Sequence, residues 1–206
     1  LLSAVEVIGR IPDAYFQAVG SGTGAIAAWE NAARLAADGR FGENKMRIYA
    51  SQNAPFTIMY DSWKAHSREL VPMTPEAGRQ KAEVILGKVL SNRKPPYSLA
   101  GGLFDVLEKS GGDMFKVSND EIVSWVVKYF SLEGYDLFPA SACAVSSLKQ
   151  ALDAGIVKHD ETVMLNVTGG GMLGATRKGF ILKEPDLILS PDLPAEEIIA
   201  AVDKLF

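Results

Sequence analysis

The stretch Ala18-Val19-Gly20-Ser21-Gly22-Thr23-Gly24-Ala25-Ile26-Ala27-Ala28-Trp29 limits what this chain can fold into more than any other. Before it, Tyr15 to Val19 is aromatic and β-branched, the composition of a short strand. Three glycines then fall within five positions, separated only by Ser21 and Thr23. From Ala25 to Leu35 the chain is rich in alanine and other strong helix formers. A strand that feeds a glycine loop opening a helix is a natural anion site. Glycine lets backbone N–H groups converge, the two hydroxyls add donors, and the helix N-terminus supplies partial positive charge. The loop holds no Lys or Arg, so neutral donors would carry the anion.

Spacing removes two common ligands. A P-loop ends in Gly-Lys-Ser/Thr, and here Gly24 is followed by Ala25. The dinucleotide fingerprint is G-x-G-x-x-G with an acid closing the next strand. This loop is Gly20-x-Gly22-x-Gly24, and the next strand runs into Gln52 and Asn53. A tight strand-to-helix turn without any ligand satisfies the same pattern.

The rest of the chain alternates helix and strand. Leu2, Val5 and Ile8 mark an apolar helix face that Gly9 closes and Pro12 cannot continue. This helical start, at a residue other than Met, leads us to expect that the chain begins inside a longer polypeptide. Met46–Gln52 reads as a strand, Ala54–Leu70 as a helix, and Thr74-Pro75-Glu76 as a helix start with a Thr cap and Pro at the first position. Leu99–Lys109 reads as a helix stopped by Gly111-Gly112, and Asp113–Val117 as a strand. Ser118 to Glu121 forms a capping box, followed by an apolar stripe of Ile122, Val123, Val126, Val127 and Phe130. Ser141–Asp153 is helical, and Thr162–Val167 is continuously apolar except for Asn166, the character of a strand buried on both faces. Phe180–Leu189 reads as an irregular edge segment, and Pro194 starts a closing helix through Phe206. The expected fold class is α/β, a largely parallel sheet flanked by helices, in a single domain over residues 1–206.

Composition narrows the function classes. With 206 residues, 48% of them hydrophobic, the chain can bury a sizeable core. A net charge of −4 argues against a nucleic-acid surface. No apolar run approaches the roughly 18 residues of a membrane span. One cysteine excludes an internal disulfide and fits a reducing, cytoplasmic setting. His66 and His159 have no Cys or carboxylate at ligand spacing, so no metal site is expected. Cys143, on a small-residue helix face, reads as a buried inert thiol. Thr168 ends a strand and precedes Gly169-Gly170-Gly171, where backbone can approach a flat ligand; a plain glycine turn reads the same. Glu133 alone reads as a solvated helix end, and Pro139–Ala142 as tight helix-to-sheet packing.

Three stretches, in order, carry a family likeness. Gly20-Ser-Gly-Thr-Gly24 before an Ala-rich helix resembles the phosphate cup of the fold type II (tryptophan-synthase-like) pyridoxal-phosphate enzymes. Glu133-Gly134-Tyr-Asp-Leu-Phe-Pro139-Ala-Ser-Ala142 resembles the E-G-x-x-x-x-P-A-S-A segment of threonine synthases, and Thr168-Gly-Gly-Gly171 resembles their T-G-x-G turn. The resemblance implies pyridoxal 5′-phosphate as cofactor, its phosphate held by Gly20, Ser21, Gly22, Thr23 and Gly24, and its ring nitrogen facing Thr168. It implies that this chain is the large C-terminal domain of such an enzyme. Glu133 would then orient cofactor or substrate.

Asn92-Arg93-Lys-Pro95-Pro96-Tyr97-Ser98-Leu-Ala-Gly101-Gly102-Leu103, together with Ser51-Gln-Asn-Ala-Pro-Phe56, is similar to archaeal-type cysteate synthases within the threonine synthase group. This implies replacement of the phosphate of O-phosphoserine by sulfite, with threonine synthesis from O-phosphohomoserine as the alternative. Arg93 is the candidate for the substrate phosphate or sulfite, because a guanidinium fork matches an oxyanion; a solvated loop Arg fits equally. The expected setting is a homo-oligomeric cytoplasmic enzyme with a small-molecule substrate and no nucleic-acid or membrane partner. A non-catalytic phosphate-binding module is the reading from a different class. In the family the Schiff-base Lys lies upstream of the glycine cup. No lysine here sits in such a motif, so that Lys is expected upstream of Leu1.

Overall fold

Alternation along the strands distributes the core over two sheet faces. The computed structural model describes residues 1–180 and 183–206, which fall into two compact units, Leu1–Gly174 and Ala175–Phe206. In the first unit β1 (Ala14–Ala18), β2 (Arg47–Asn53), β3 (Asp113–Val117) and β4 (Val163–Leu165) form a parallel sheet of order β3-β2-β1-β4. Phe16 pairs in register with Tyr49 on one side and Leu165 on the other. Tyr15, Val19, Ile48, Ala50 and Met114 pack under α2 (Thr23–Asp38), α3 (Ile58–Lys64) and α5 (Leu103–Ser110). On the opposite face Phe16 and Tyr49 stack at 4.7 Å, and Ala14 and Phe115 join them beneath Ala151 of α7 (Pro139–Asp153). Helix α7 lies so close because it is built of small residues; every side chain from Ala140 to Ser147 is buried.

Strand order fixes where a ligand can enter. The chain runs outward from β1 through β2 to β3, then returns to the far side of β1 for β4. Such a reversal opens a crevice beyond the carboxyl ends of the two strands at the switch, here β1 and β4. The glycine cup follows β1 and the Thr168 turn follows β4.

Several boundaries depart from the sequence reading. The helix expected over Ala54–Leu70 is only α3. The buried Gln52 side chain accepts from Met59 N (2.9 Å) and Tyr60 N (3.0 Å) at its start. His66, at φ 53°, ends it, and Ser62 Oγ then accepts from Val71 N at 2.9 Å. Helix α5 begins at Leu103 rather than Leu99, because Leu99–Gly102 is a turn with Gly101 at φ +74°. Helix α4 (Pro75–Val84) starts as expected, with Thr74 Oγ1 accepting from Ala77 N.

The capping box of α6 (Asn119–Glu133) is present, but only Ile122 and Val126 of its expected apolar stripe lie on the buried face. Ile122, Trp125, Val126 and Tyr129 pack inward, while Val123 and Val127 are 53% and 66% exposed. The reason is that α7, not α6, covers the sheet, so α6 needs only a narrow seam against α7. Strand β4 is shorter than Thr162–Val167 and half-buried rather than covered on both faces, because it pairs only with β1 among the described residues. Within Phe180–Leu189, Ile181 and Leu182 lie outside the described residues, and the others form no strand. The first helix, α1 (Leu2–Ile8), ends at Gly9 as expected, although only Val5 is buried. A short helix that the sequence did not signal, α8 (Met172–Arg177), follows the triple glycine. In the second unit α9 (Ala195–Val202) follows Pro194.

Candidate active site

The last ladder bond at the end of β1 runs from Val19 N to Ser51 O (2.9 Å). Beyond it the backbone N–H groups of Gly20, Ser21, Gly22, Gly24 and Ala25 have no protein acceptor among the described residues. Two of these belong to the first turn of α2, where donors are always left over. Thr23 N turns to Ser21 Oγ, and the Ser21 and Thr23 hydroxyls are 2.9 Å apart, so one hydroxyl proton stays available. The cup is thus a concentration of neutral donors at a helix N-terminus.

Each glycine in the cup has its own cause. Gly22 sits at φ +83° as the residue before α2. A Cβ on Gly20 would lie 2.6 Å from Val89 O, and one on Gly24 would lie 2.6 Å from Gln17 Nε2. Gln17 belongs to a polar cluster between β1 and β4. Tyr15 Oη donates to Gln17 Oε1 (2.7 Å), and Asn166 Nδ2 donates to Tyr15 Oη (2.7 Å). Burial holds the Tyr15 phenol above its ordinary pKa, so it stays a neutral donor.

The Thr168 turn is built differently. Ser141 Oγ accepts from Gly169 N (3.0 Å) and donates to Gly169 O (2.8 Å). Asp136 O accepts from Gly171 N (2.8 Å) and Asp136 Oδ2 from Leu173 N (2.8 Å). The Thr168 hydroxyl has no hydrogen bond among the described residues and is exposed. It opens on a cleft of about 490 Å³ whose walls include Leu86–Val89, Phe138–Ser141 and Gly169. Val89, which walls this cleft, is the residue whose carbonyl meets Gly20, so cup and cleft share one piece of backbone.

The remaining sequence candidates lie elsewhere. Glu133 is the exposed last residue of α6 and is not among the residues lining the Thr168 cleft. Arg93 lies over Gly78 and lines a separate cleft with Phe56, Pro75, Arg79, Ala82 and Ser91. Among the described residues Lys88 is the only lysine lining the Thr168 cleft, and its ammonium is tied to Ala82 O and Glu83 O. Cys143 is buried, and burial pushes its thiol up to about 12. Among the described residues no group of His, Cys, Asp and Glu comes together as a metal site, and no helix is long and apolar enough to cross a membrane. Sequence reasoning missed the wall Leu86–Val89, whose only signal is a lone glycine among apolar residues. It also took Ser141 for packing, when its hydroxyl clamps the Thr168 turn.

Residues 2–169 match the family described as pyridoxal-phosphate dependent enzyme. The chain belongs to that family. Cysteate synthase from Methanosarcina acetivorans is 42% identical over 201 residues, covering 96% of this chain and 48% of that protein. Cysteate synthase from Methanoculleus marisnigri is 47% identical over 172 residues, covering 83% and 40%. This family member therefore spans about half the length of the curated relatives it matches. Among solved structures it resembles serine racemase from Dictyostelium discoideum (15% identity, TM-score 0.58, 82% of this chain and 47% of that one). It also resembles the processed form of threonine deaminase isoform 2 from Solanum lycopersicum (13% identity, TM-score 0.60, 87% and 46%). These distant structures share the fold expected from the sequence: a parallel sheet flanked by helices.

Proposed function

We propose that the intact protein is a pyridoxal-phosphate-dependent cysteate synthase, replacing the phosphate of O-phosphoserine by sulfite. The observation that carries the reading is the set of acceptor-free N–H groups from Gly20 to Ala25, which shares a wall with the Thr168 cleft. The donor set fits the cofactor. A phosphate needs several converging donors, and a pyridine ring needs a cleft with a hydrogen-bonding group at its edge. Gly20, Ser21, Gly22, Thr23 and Gly24 would hold the phosphate, and the Thr168 hydroxyl would meet the ring nitrogen. When bound, pyridoxal phosphate supplies the electron withdrawal that loosens the α-proton and β-substituent of an amino acid. A hydroxyl, unlike a carboxylate, leaves the ring nitrogen largely unprotonated, which suits elimination and replacement at the β-carbon.

Substrate choice rests on the likeness to proteins named cysteate synthase over most of this chain. In this reading residues 1–206 are the cofactor-binding domain of a cytoplasmic homo-oligomer. Arg93 takes a substrate oxyanion, and Glu133 orients substrate or cofactor. The lysine that anchors the cofactor lies upstream of Leu1; the engagement of Lys88 with the end of α4 supports that placement.

The test uses full-length protein loaded with pyridoxal phosphate. Release of phosphate from O-phosphoserine with sulfite should far exceed threonine formation from O-phosphohomoserine. The opposite preference would move the protein to threonine synthesis and leave the Asn92–Gly102 likeness without functional meaning.

A further inference from the structure

Between cup and cleft the shared wall needs an anchor, because Gly87–Leu90 is a short turn outside the sheet. Its position is set by two asparagines. Asn53 is the last residue of β2 and fully buried. Its Oδ1 accepts from Gly87 N at 2.9 Å. Its Nδ2 donates to Val117 O (3.1 Å), Asn119 Oδ1 (3.1 Å) and Ala54 O (3.2 Å). Asn119, the first residue of α6, accepts from Leu86 N (3.2 Å) on the same Oδ1 and donates from Nδ2 to Val84 O (2.8 Å). The two amides therefore staple Val84, Leu86 and Gly87 to the carboxyl ends of β2 and β3.

From Gly87 the chain makes one tight turn, with Leu90 N donating to Gly87 O (2.8 Å). That turn delivers Val89 O to within 2.6 Å of where a Cβ on Gly20 would stand. Gly87 itself is confined, since a Cβ there would lie 2.9 Å from Leu90 Cδ1 and 3.5 Å from Asn53 Oδ1. We infer that Asn53 and Asn119 are positioning residues: they fix the Leu86–Leu90 wall against the glycine cup and so set the gap between the cup and the Thr168 cleft. Neither asparagine lines the Thr168 cleft. Both act through backbone, and amides suit this task because each offers an acceptor and donors at once. This inference rests on the cofactor reading above for what the gap contains.

The experiment uses full-length protein and three variants. Asn119→Ala removes the acceptor for Leu86 N and leaves the Ser118–Glu121 capping box intact. Asn119→Asp keeps that acceptor, and Asn53→Asp keeps the acceptor for Gly87 N but turns a carboxylate toward Val117 O and Asn119 Oδ1. In the cofactor-free proteins, amide hydrogen exchange over residues 84–90 should rise roughly tenfold in Asn119→Ala and Asn53→Asp, as loss of a hydrogen bond of ordinary strength would give. Exchange in β1 and β2 should stay unchanged. Asn119→Asp should recover part of the protection. Pyridoxal phosphate affinity should fall about tenfold in the first two variants. Unchanged exchange over 84–90 overturns the proposal. Faster exchange there with unchanged affinity overturns the positioning role. If wild-type protein takes up no pyridoxal phosphate, the cofactor reading fails, and the exchange measurement alone decides whether the pair holds the wall.

Discussion

Two glycine-rich turns stand side by side at the carboxyl ends of β1 and β4, and they do opposite things with their backbone. The turn after β4 ties three of its donors to neighbouring segments: Gly169 N donates to Ser141 Oγ, Gly171 N to Asp136 O, and Leu173 N to Asp136 Oδ2. What it presents is a single side chain, Thr168. The turn after β1 leaves the donors of Gly20, Ser21, Gly22, Gly24 and Ala25 unpaired among the described residues and presents backbone. In sequence both are runs of glycine with a neighbouring hydroxyl. What separates them is whether another element supplies acceptors. For the second turn that element is the segment Asp136–Ser141, and the first has no counterpart. Bare donors at a helix N-terminus suit an anion, whereas a rigid turn with one free hydroxyl suits the edge of a ring.

The comparison breaks most visibly at Gly20. Gly20→Ala puts a methyl 2.6 Å from Val89 O, a backbone atom, so the cup or the wall must move. Phosphate contacts are charge-assisted and lost together, so affinity for pyridoxal phosphate should drop roughly hundredfold or more, read by absorbance titration of the full-length protein. A drop below tenfold would mean that the cup is not the phosphate site.

Next in size is Ser141→Ala, which strips Gly169 N–H of its acceptor and leaves Gly169 O only the longer bond from Phe138 N (3.4 Å). Unfolding by urea should show a loss of about 1–3 kcal/mol. No loss would mean that the turn stands without its clamp, and the contrast with the cup would fall. Thr168→Val gives the complementary result. Because the hydroxyl is exposed and unbonded, stability should stay within about 0.5 kcal/mol. Cofactor affinity should fall only about tenfold, one hydrogen bond's worth.

The smallest effect lies in the frame beneath the second turn. Glu121 Oε2 accepts from Ser118 N (2.7 Å) and Oγ (2.8 Å), and Oε1 accepts from Gln150 Nε2 (2.6 Å) of α7. Burial pushes this carboxyl up, but the hydrogen bonds from Ser118 and Gln150 outweigh it and hold the carboxyl below its ordinary 4.5. A folded-state value below the unfolded one contributes stability above pH 4.5, and that contribution disappears as pH falls through the folded value. Because the site is largely solvated, the contribution is below about 1 kcal/mol. Wild type and Glu121→Gln should therefore differ in urea stability at pH 7 and converge in acid. A difference that grows in acid would reverse the assigned sign.

The elements at the site were legible where local chemistry acts alone. Strand β1, the opening of α2, the Thr74 cap and the Ser118–Glu121 box depend on neighbours within a few residues, and they stand where the pattern puts them. What the sequence concealed depends on distant partners. The length of α3 follows from Gln52 reaching forward to its first turn, and α6 shows an unexpected face because α7 is narrow enough to take the sheet for itself. The free state of the cup and the clamped state of the second turn differ through Ser141 and Asp136, 28 and 35 residues away by the pairs Ser141–Gly169 and Asp136–Gly171. No local pattern announces such partners. Gly24 carries a related lesson, since its lack of a side chain makes room for Gln17 beneath the helix.

The most direct test of the central claim is the position of the phosphorus atom in a crystal structure of the full-length protein with pyridoxal phosphate. The account predicts phosphate oxygens within hydrogen-bond distance, about 3 Å, of at least three N–H groups between Gly20 and Ala25, with the ring in the cleft beside Thr168. A phosphate seated against side chains elsewhere, with those N–H groups left to solvent, would contradict it.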